Sequence, residues 1–174
     1  MKTIITNSSG ETYELGRAMA GEAASGTIIA LTGDLGAGKT VFAKGFASGL
    51  GVGDAVTSPT FTILCEYEGD RLPLYHFDVY RIDDPEELWE IGFEEYLYGQ
   101  GVCLIEWADK IMDELPDDTL IVEIRRQLNN DTTNNPQKTD DNKADSEAFS
   151  ADYGYDTTPE ETRRILVHKK DESI

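Results

Sequence analysis

The stretch Gly33-Asp34-Leu35-Gly36-Ala37-Gly38-Lys39-Thr40, GDLGAGKT, stands between an apolar run and an amphipathic one. It fits the pattern G-x-x-x-x-G-K-[ST]. Gly33, Gly36 and Gly38 let the backbone turn tightly and aim successive N–H groups inward, an anion nest at the positive end of the following helix. In such a loop Lys39 reaches the β and γ phosphates of a nucleoside triphosphate, and the Thr40 hydroxyl ligates Mg²⁺. Before it, residues 26–32 (GTIIALT) form a continuous apolar run too short for a helix, which predicts a buried parallel strand. After it, Phe42, Phe46 and Leu50 recur at helical spacing, with Gly45 and Gly49 on an adjoining stripe and GVG as the stop. Strand, loop and helix come in the order the motif requires. The loop by itself does not separate a kinase, a GTPase switch and an ATPase that drives a partner. The chain has no N-K-x-D base-recognition sequence, and DVYR at 78–81 is not the D-x-x-G of a GTPase switch, so ATP is favoured over GTP.

Outward from the loop, KTIIT at the N-terminus reads as a short strand, and Ser8 with Glu11 has the spacing of a capping box before a first helix. The segment 60–81 offers two β-rich runs around Gly69-Asp70, a hairpin. Asp84-Pro85-Glu86-Glu87 starts another helix, with an N-cap, a proline at the first position and Glu at the third. GVCLIEW reads as a second buried strand, ADKIMDELP as a short helix closed by Pro116, and TLIVEIRR as a further strand. From Gln127 to Thr162 the chain carries nine acids against two lysines and almost no aliphatic side chains, too little apolar surface to offset its ordering entropy. That composition predicts a disordered acidic insertion at 127–162 in a hairpin loop, with RRILVHKK beyond it pairing back onto TLIVEIRR. The whole chain, 1–174, is then one three-layer α/β domain of the P-loop NTPase class, with a mostly parallel central sheet and a β-hairpin elaboration.

Bulk properties narrow the function. A chain of 174 residues suits one well-cored domain. Its formal net charge of -19 opposes direct capture of a polyanion, so nucleic acid is not expected as a direct ligand. The N-terminus lacks an apolar core of signal-peptide length, and no apolar stretch approaches the roughly 20 residues of a membrane helix, so a cytoplasmic location is expected. Cys65 and Cys103 lie in strand-like segments without C-x-x-C or an adjacent His, and are expected to be buried free thiols rather than metal ligands.

Three further constellations are candidates to complete the site. Glu106 follows an apolar strand, so its carboxylate emerges at the carboxyl end, where open α/β sheets bind ligands; beside Thr40 it is a candidate Mg²⁺ ligand, directly or through water. Alternatively it is a solvated strand-end acid. Asp78 ends another strand and is a candidate to orient the attacking water or a metal-bound water, or else a turn-capping Asp. TSPTF, residues 57–61, is a hydroxyl-rich loop of the kind that closes on a γ-phosphate, with Thr60 the candidate sensor, or else a simple proline turn. His76 reads as a packed core histidine. Trp107, beside Glu106, reads as a core aromatic or a site residue.

GDLGAGKT, TSPTF, HFDVYR, DPEELWEIGFEEYL and LIEWADKI, in this order and at these spacings, resemble the bacterial tRNA threonylcarbamoyladenosine biosynthesis ATPases of the TsaE type, from the N-terminal helix to about Arg126. The resemblance implies a small P-loop ATPase, acting with ATP and Mg²⁺. Its partners would be a threonylcarbamoyl transferase subunit and that subunit's paralogous partner protein. The complex modifies the adenosine beside the anticodon of ANN-decoding tRNAs, and the ATPase meets tRNA only indirectly. Carried onto this chain, the phosphate loop falls on Gly33 to Thr40, the Mg²⁺ ligands on Thr40 and Glu106, the essential strand-end aspartate on Asp78 and the switch-like threonine on Thr60. Lys39, Thr60, Asp78 and Glu106 are thus the expected catalytic set, with slow basal hydrolysis that partners stimulate. Arg81 is the one internal candidate for an arginine finger. Two other readings compete: a phosphotransferase acting on a small molecule, and a binding module that ATP locks for docking with incidental hydrolysis.

Overall fold

Ile28–Thr32, the run before the glycine loop, forms β2, the central strand of a seven-stranded sheet. The computed structural model describes residues 1–127 and 162–172. The strands are β1 (Lys2–Thr6), β2, β3 (Leu64–Tyr67), β4 (Leu74–Asp78), β5 (Val102–Glu106), β6 (Leu120–Arg126) and β7 (Arg163–Lys169), in the order β1-β7-β6-β2-β5-β4-β3. The parallel part is confined to the centre: β6, β2, β5 and β4 run parallel, while β3, β7 and β1 add antiparallel strands at the two flanks. The β3–β4 hairpin and the pairing of β6 with β7 follow the expected runs. The expected insertion at 127–162 lies, for residues 128–161, outside the described residues. At its margins the Gln127 amide donates to the Thr162 carbonyl at 2.8 Å, extending the β6–β7 ladder.

Helices α1 (Ser9–Ala20) and α2 (Lys39–Gly49) cover one face of the sheet. Ser8 caps α1 as expected, its Oγ accepting from the Glu11 amide at 3.1 Å, but Glu11 reaches past the cap to the Asn7 amide at 2.8 Å. The glycine stripe on α2 permits a close crossing. A Cβ at Gly45 would stand 1.9 Å from the Tyr13 carbonyl oxygen, and one at Gly16 would stand 2.3 Å from that of Phe42. Phe42, Phe46 and Leu50, the periodic face of α2, are buried against Ile29, Leu31, Leu74, Leu104 and Val122. Alternation along each strand sends their neighbours to the other face, where Ile28, Ala30, Phe77 and Ile105 pack under α3 (Glu86–Glu90), α4 (Phe93–Leu97) and a 3₁₀ segment at Ala108–Glu114. That third layer begins one residue later than the sequence indicates, at Glu86 with Pro85 in the N-cap place, although the expected side chains still bond the entry. Asp84 Oδ1 accepts from the Glu86 amide at 3.0 Å, and Glu87 Oε1 accepts from the Asp84 amide at 3.1 Å. The helix nevertheless stops after five residues, because the chain turns through Gly92 at φ 73° before α4 resumes.

Both cysteines are free. Cys103, on central β5, is buried, and burial pushes its thiol up to about 12. Cys65 departs from the expectation: β3 is the edge strand, so its side chain is only half-buried. Among the described residues no helix is long and apolar enough to cross a membrane.

Candidate functional site

The glycine loop leaves β2 and enters α2 through three left-handed backbone positions, Gly33 (φ 126°), Gly36 (φ 74°) and Gly38 (φ 116°). Asp34 and Leu35 form its exposed rim and Ala37 is buried. At Gly33 the path is closed to any other residue on a second count, since a Cβ there would meet the Ile124 carbonyl oxygen at 2.1 Å. Arginines from the last two strands brace the loop from outside. Arg163, buried at 6% exposure, donates from Nε to the Ala37 carbonyl at 3.0 Å. A Cβ on Gly36 would lie 3.1 Å from the Arg126 guanidinium. The register pairs Arg126 with Arg163, so one rung of the β6–β7 ladder supplies both.

Lys39 folds back into the loop that carries it. Its Nζ donates to the carbonyls of Gly33 at 2.6 Å and Asp34 at 2.9 Å, and it stands 3.6 Å from the centroid of the Trp107 ring. An ammonium has three hydrogens to place, and two carbonyls and an aromatic face take them. Burial of the side chain lowers its pKa below the ordinary 10.5, opposed by the charges of Glu106, Asp109, Asp78 and Asp34. Trp107 itself sits at φ 62°, a strained position for a bulky residue, which turns the chain directly after Glu106 and lays the indole beside the loop.

Strand parity assembles the acidic part. Leu74, His76 and Asp78 on β4 share a face with Leu104 and Glu106 on β5, the face covered by α2, and the register sets Asp78 opposite Glu106. Both carboxylates are 2% exposed. Glu106 Oε2 accepts from the Thr40 hydroxyl at 2.8 Å, and its Oε1 lies 2.9 Å from His76 Nε2. Asp78 Oδ2 accepts from the hydroxyls of Ser58 at 2.6 Å and Thr60 at 2.7 Å, and its Oδ1 from the Tyr80 amide at 3.0 Å. The Ser58–Thr60 segment is thereby latched onto the end of β4, and the backbone behind it is strained, with Ile63 at φ 66°. A cavity of about 280 Å³ opens between these groups, lined by Gly36, Gly38, Lys39, Thr40, Ser58, Thr60, Asp78, Glu106 and Trp107 among others. Its size suits the phosphate end of a nucleotide, since sites that enclose whole drug-sized ligands run to about 300–1,000 Å³.

All the expected residues, Gly33 to Thr40 with Thr60, Asp78 and Glu106, therefore converge on one place. Arg81 does not join them: its guanidinium lies 4.2 Å over the exposed Phe61 ring and does not line the cavity. Sequence reading missed Ser58, which shares the Asp78 oxygen with Thr60, and it placed His76 in the core without a role. For His76 the signal is strand parity, two positions before Asp78 on β4; Ser58 lies outside any strand, and only the hydroxyl-rich composition of TSPTF marks it. Nothing local marked Arg163, which the β6–β7 register brings to the loop.

A glycine loop between the central strand and its helix, with polar side chains gathered at the carboxyl ends of β4 and β5, defines a P-loop α/β protein of three layers. The family model for "Threonylcarbamoyl adenosine biosynthesis protein TsaE" matches residues 6–135, and the chain belongs to that family. It is 52% identical over 116 residues to the tRNA threonylcarbamoyladenosine biosynthesis protein TsaE of Bacillus subtilis, covering 67% of this chain and 72% of that one. It is 50% identical over 100 residues to the protein of the same name from Treponema pallidum, covering 58% and 73%. A crystal structure of Bacillus subtilis YdiB superposes with a TM-score of 0.66 at 36% identity, over 94% of this chain and 82% of that one.

Proposed function

We propose that this chain is an ATP hydrolase of tRNA threonylcarbamoyladenosine biosynthesis, coupled to a threonylcarbamoyl transferase subunit and its paralogous partner. Hydrolysis would sustain modification of the adenosine beside the anticodon in ANN-decoding tRNAs. The observation that carries the reading is the cavity in which Lys39 and Thr40 of the glycine loop face the paired carboxylates Glu106 and Asp78. Family membership supplies the biosynthetic context.

The donor set fits Mg²⁺: one hydroxyl and one carboxylate, hard oxygen ligands already 2.8 Å apart, which leave positions for phosphate oxygens and waters. When bound, Mg²⁺ would draw charge from the phosphate oxygens as the terminal phosphoryl group leaves. Lys39, released from the Gly33 and Asp34 carbonyls, holds the β and γ phosphates. Asp78 accepts three donors where a carboxylate has about four lone-pair directions, so one remains to orient the attacking water. Ser58 and Thr60 report on that water because they share its acceptor. The net charge of -19 leaves tRNA binding to the partners.

The test is ATP hydrolysis and tRNA modification with the partner subunits, beside direct binding of a fluorescent ATP analogue. Asp78→Ala and Glu106→Ala are expected to keep binding within about tenfold, about 1.4 kcal/mol, and to lose most stimulated turnover. Wild-type turnover in both variants would overturn the assignment.

A further inference from the structure

His76 is fully buried, and its imidazole makes one hydrogen bond: Nε2 meets Glu106 Oε1 at 2.9 Å, while Nδ1 is buried with no hydrogen-bond partner. A carboxylate oxygen can only accept, so Nε2 carries the hydrogen of that contact. A ring that leaves one of two nitrogens unmatched is an expensive way to fill a core position. The neighbours across the sheet are Leu104 and Cys65, and an aliphatic side chain would satisfy that environment without an orphaned polar atom. Packing does not account for a histidine here, whereas its one bond does.

The bond has a defined geometry. His76 lies opposite Leu104, and Glu106 opposite Asp78, so His76 and Glu106 are diagonal neighbours on one face of the β4–β5 pair. Glu106 is held at both oxygens by donors on different elements, His76 on β4 and Thr40 on α2. With Oε1 fixed by the imidazole, rotation about the terminal carboxylate bond is stopped and Oε2 is presented to the Thr40 hydroxyl. Without the imidazole, Oε1 would lose its donor and the carboxylate would be free to turn towards Lys39, whose ammonium feels the Glu106 charge more than that of Asp109, Asp78 or Asp34.

We infer that His76 is a positioning residue for the cation site: its Nε2–H fixes the Glu106 carboxylate so that Oε2 and the Thr40 hydroxyl together face Mg²⁺. The inference rests on the reading of Thr40 and Glu106 as the Mg²⁺-binding pair.

The experiment measures the Mg²⁺ concentration that half-saturates binding of a fluorescent ATP analogue to the full chain. Removing an outer partner of a metal ligand commonly weakens metal affinity 10- to 100-fold. His76→Leu, which deletes the donor, is expected to raise the Mg²⁺ midpoint by about tenfold or more, leaving Mg²⁺-free binding of the analogue unchanged. His76→Gln carries an N–H at the reach of Nε2 and is expected to stay within about threefold of wild type, while the shorter His76→Asn behaves like His76→Leu. If His76→Leu does not fold, the contrast between Gln and Asn decides. In a Glu106→Ala background, His76→Leu is expected to add no further shift, because the group it positions is gone. A wild-type midpoint in His76→Leu, a Gln variant as impaired as Asn, or an undiminished shift without Glu106 would overturn the inference and leave the Mg-ATP site standing. Wild-type protein that binds the analogue without regard to Mg²⁺ would overturn the Mg²⁺ assignment and this inference together.

Discussion

Asp78 and Glu106 stand directly opposite one another on adjacent parallel strands, both buried, and each is served by its own donors. Thr40 and His76 hold Glu106; Ser58, Thr60 and the Tyr80 amide hold Asp78. Two adjacent carboxylates with separate supports can be perturbed one at a time. One is tied to the helix that follows the glycine loop, the other to a strained and partly exposed segment.

That segment gives the first expected outcome. Hydrogen bonds to a charged acceptor contribute about 1.5–3 kcal/mol, and two of them converge on Asp78 Oδ2. Asp78→Ala should release residues 58–63, where Ile63 relaxes from its left-handed backbone. Amide hydrogen exchange should accelerate there and leave β2 and β5 unaffected. Ser58→Ala, which leaves Thr60 bonded, should give a smaller acceleration in the same residues.

Lys39 gives a pH signature. Its folded pKa lies below 10.5 because burial disfavours the ammonium. Between the lowered value and 10.5 the unfolded chain binds more protons than the folded one, so stability rises with pH across that window. Relative to Lys39→Met, which has no such group, the wild type should gain stability as pH climbs towards 10.5. Denaturant unfolding of both proteins over that range checks the sign. The same substitution should weaken ATP-analogue binding by at least about tenfold, since a charge-assisted bond of about 1.5–3 kcal/mol is removed.

The ammonium 3.6 Å from the Trp107 ring makes this indole a reporter. If Lys39 leaves the ring for a phosphate, Trp107 emission should change on addition of Mg-ATP. Trp89 on α3 does not line the cavity, so Trp89→Phe should preserve the signal and Trp107→Phe abolish it.

The crossing of α1 and α2 should be intolerant of a single methyl. Gly45→Ala places a carbon 1.9 Å from the Tyr13 carbonyl oxygen, so the helices must separate, at a cost of about 1–3 kcal/mol or more. Gly53→Ala meets nothing within 4 Å and should stay within about 0.5 kcal/mol of wild type. Denaturation midpoints of the two variants give the comparison.

Local chemistry is legible in the sequence wherever the deciding contacts span only a few residues. The glycine loop, the Ser8 and Asp84 caps, the buried run of β2 and the periodic face of α2 all depend on steric limits and side-chain reach within a turn or two, so residue type at fixed spacing carries them. Glu106 and Asp78 could be placed at strand ends for the same reason. What joins them was decided by tertiary structure. Strand register sets Asp78 opposite Glu106 and brings the His76 imidazole to Glu106, 30 residues away, a relation that no local spacing encodes. The Arg163 brace on Ala37 spans 126 residues, and it exists because β7 pairs with β6 beside the loop. The position of Lys39 over Trp107 follows from the left-handed turn after β5, where a bulky residue is held at φ 62°. A β-strand fixes which side a residue faces by parity along its own chain. Which residue it faces is fixed by the neighbouring strand, and that neighbour is chosen only when the whole sheet has assembled.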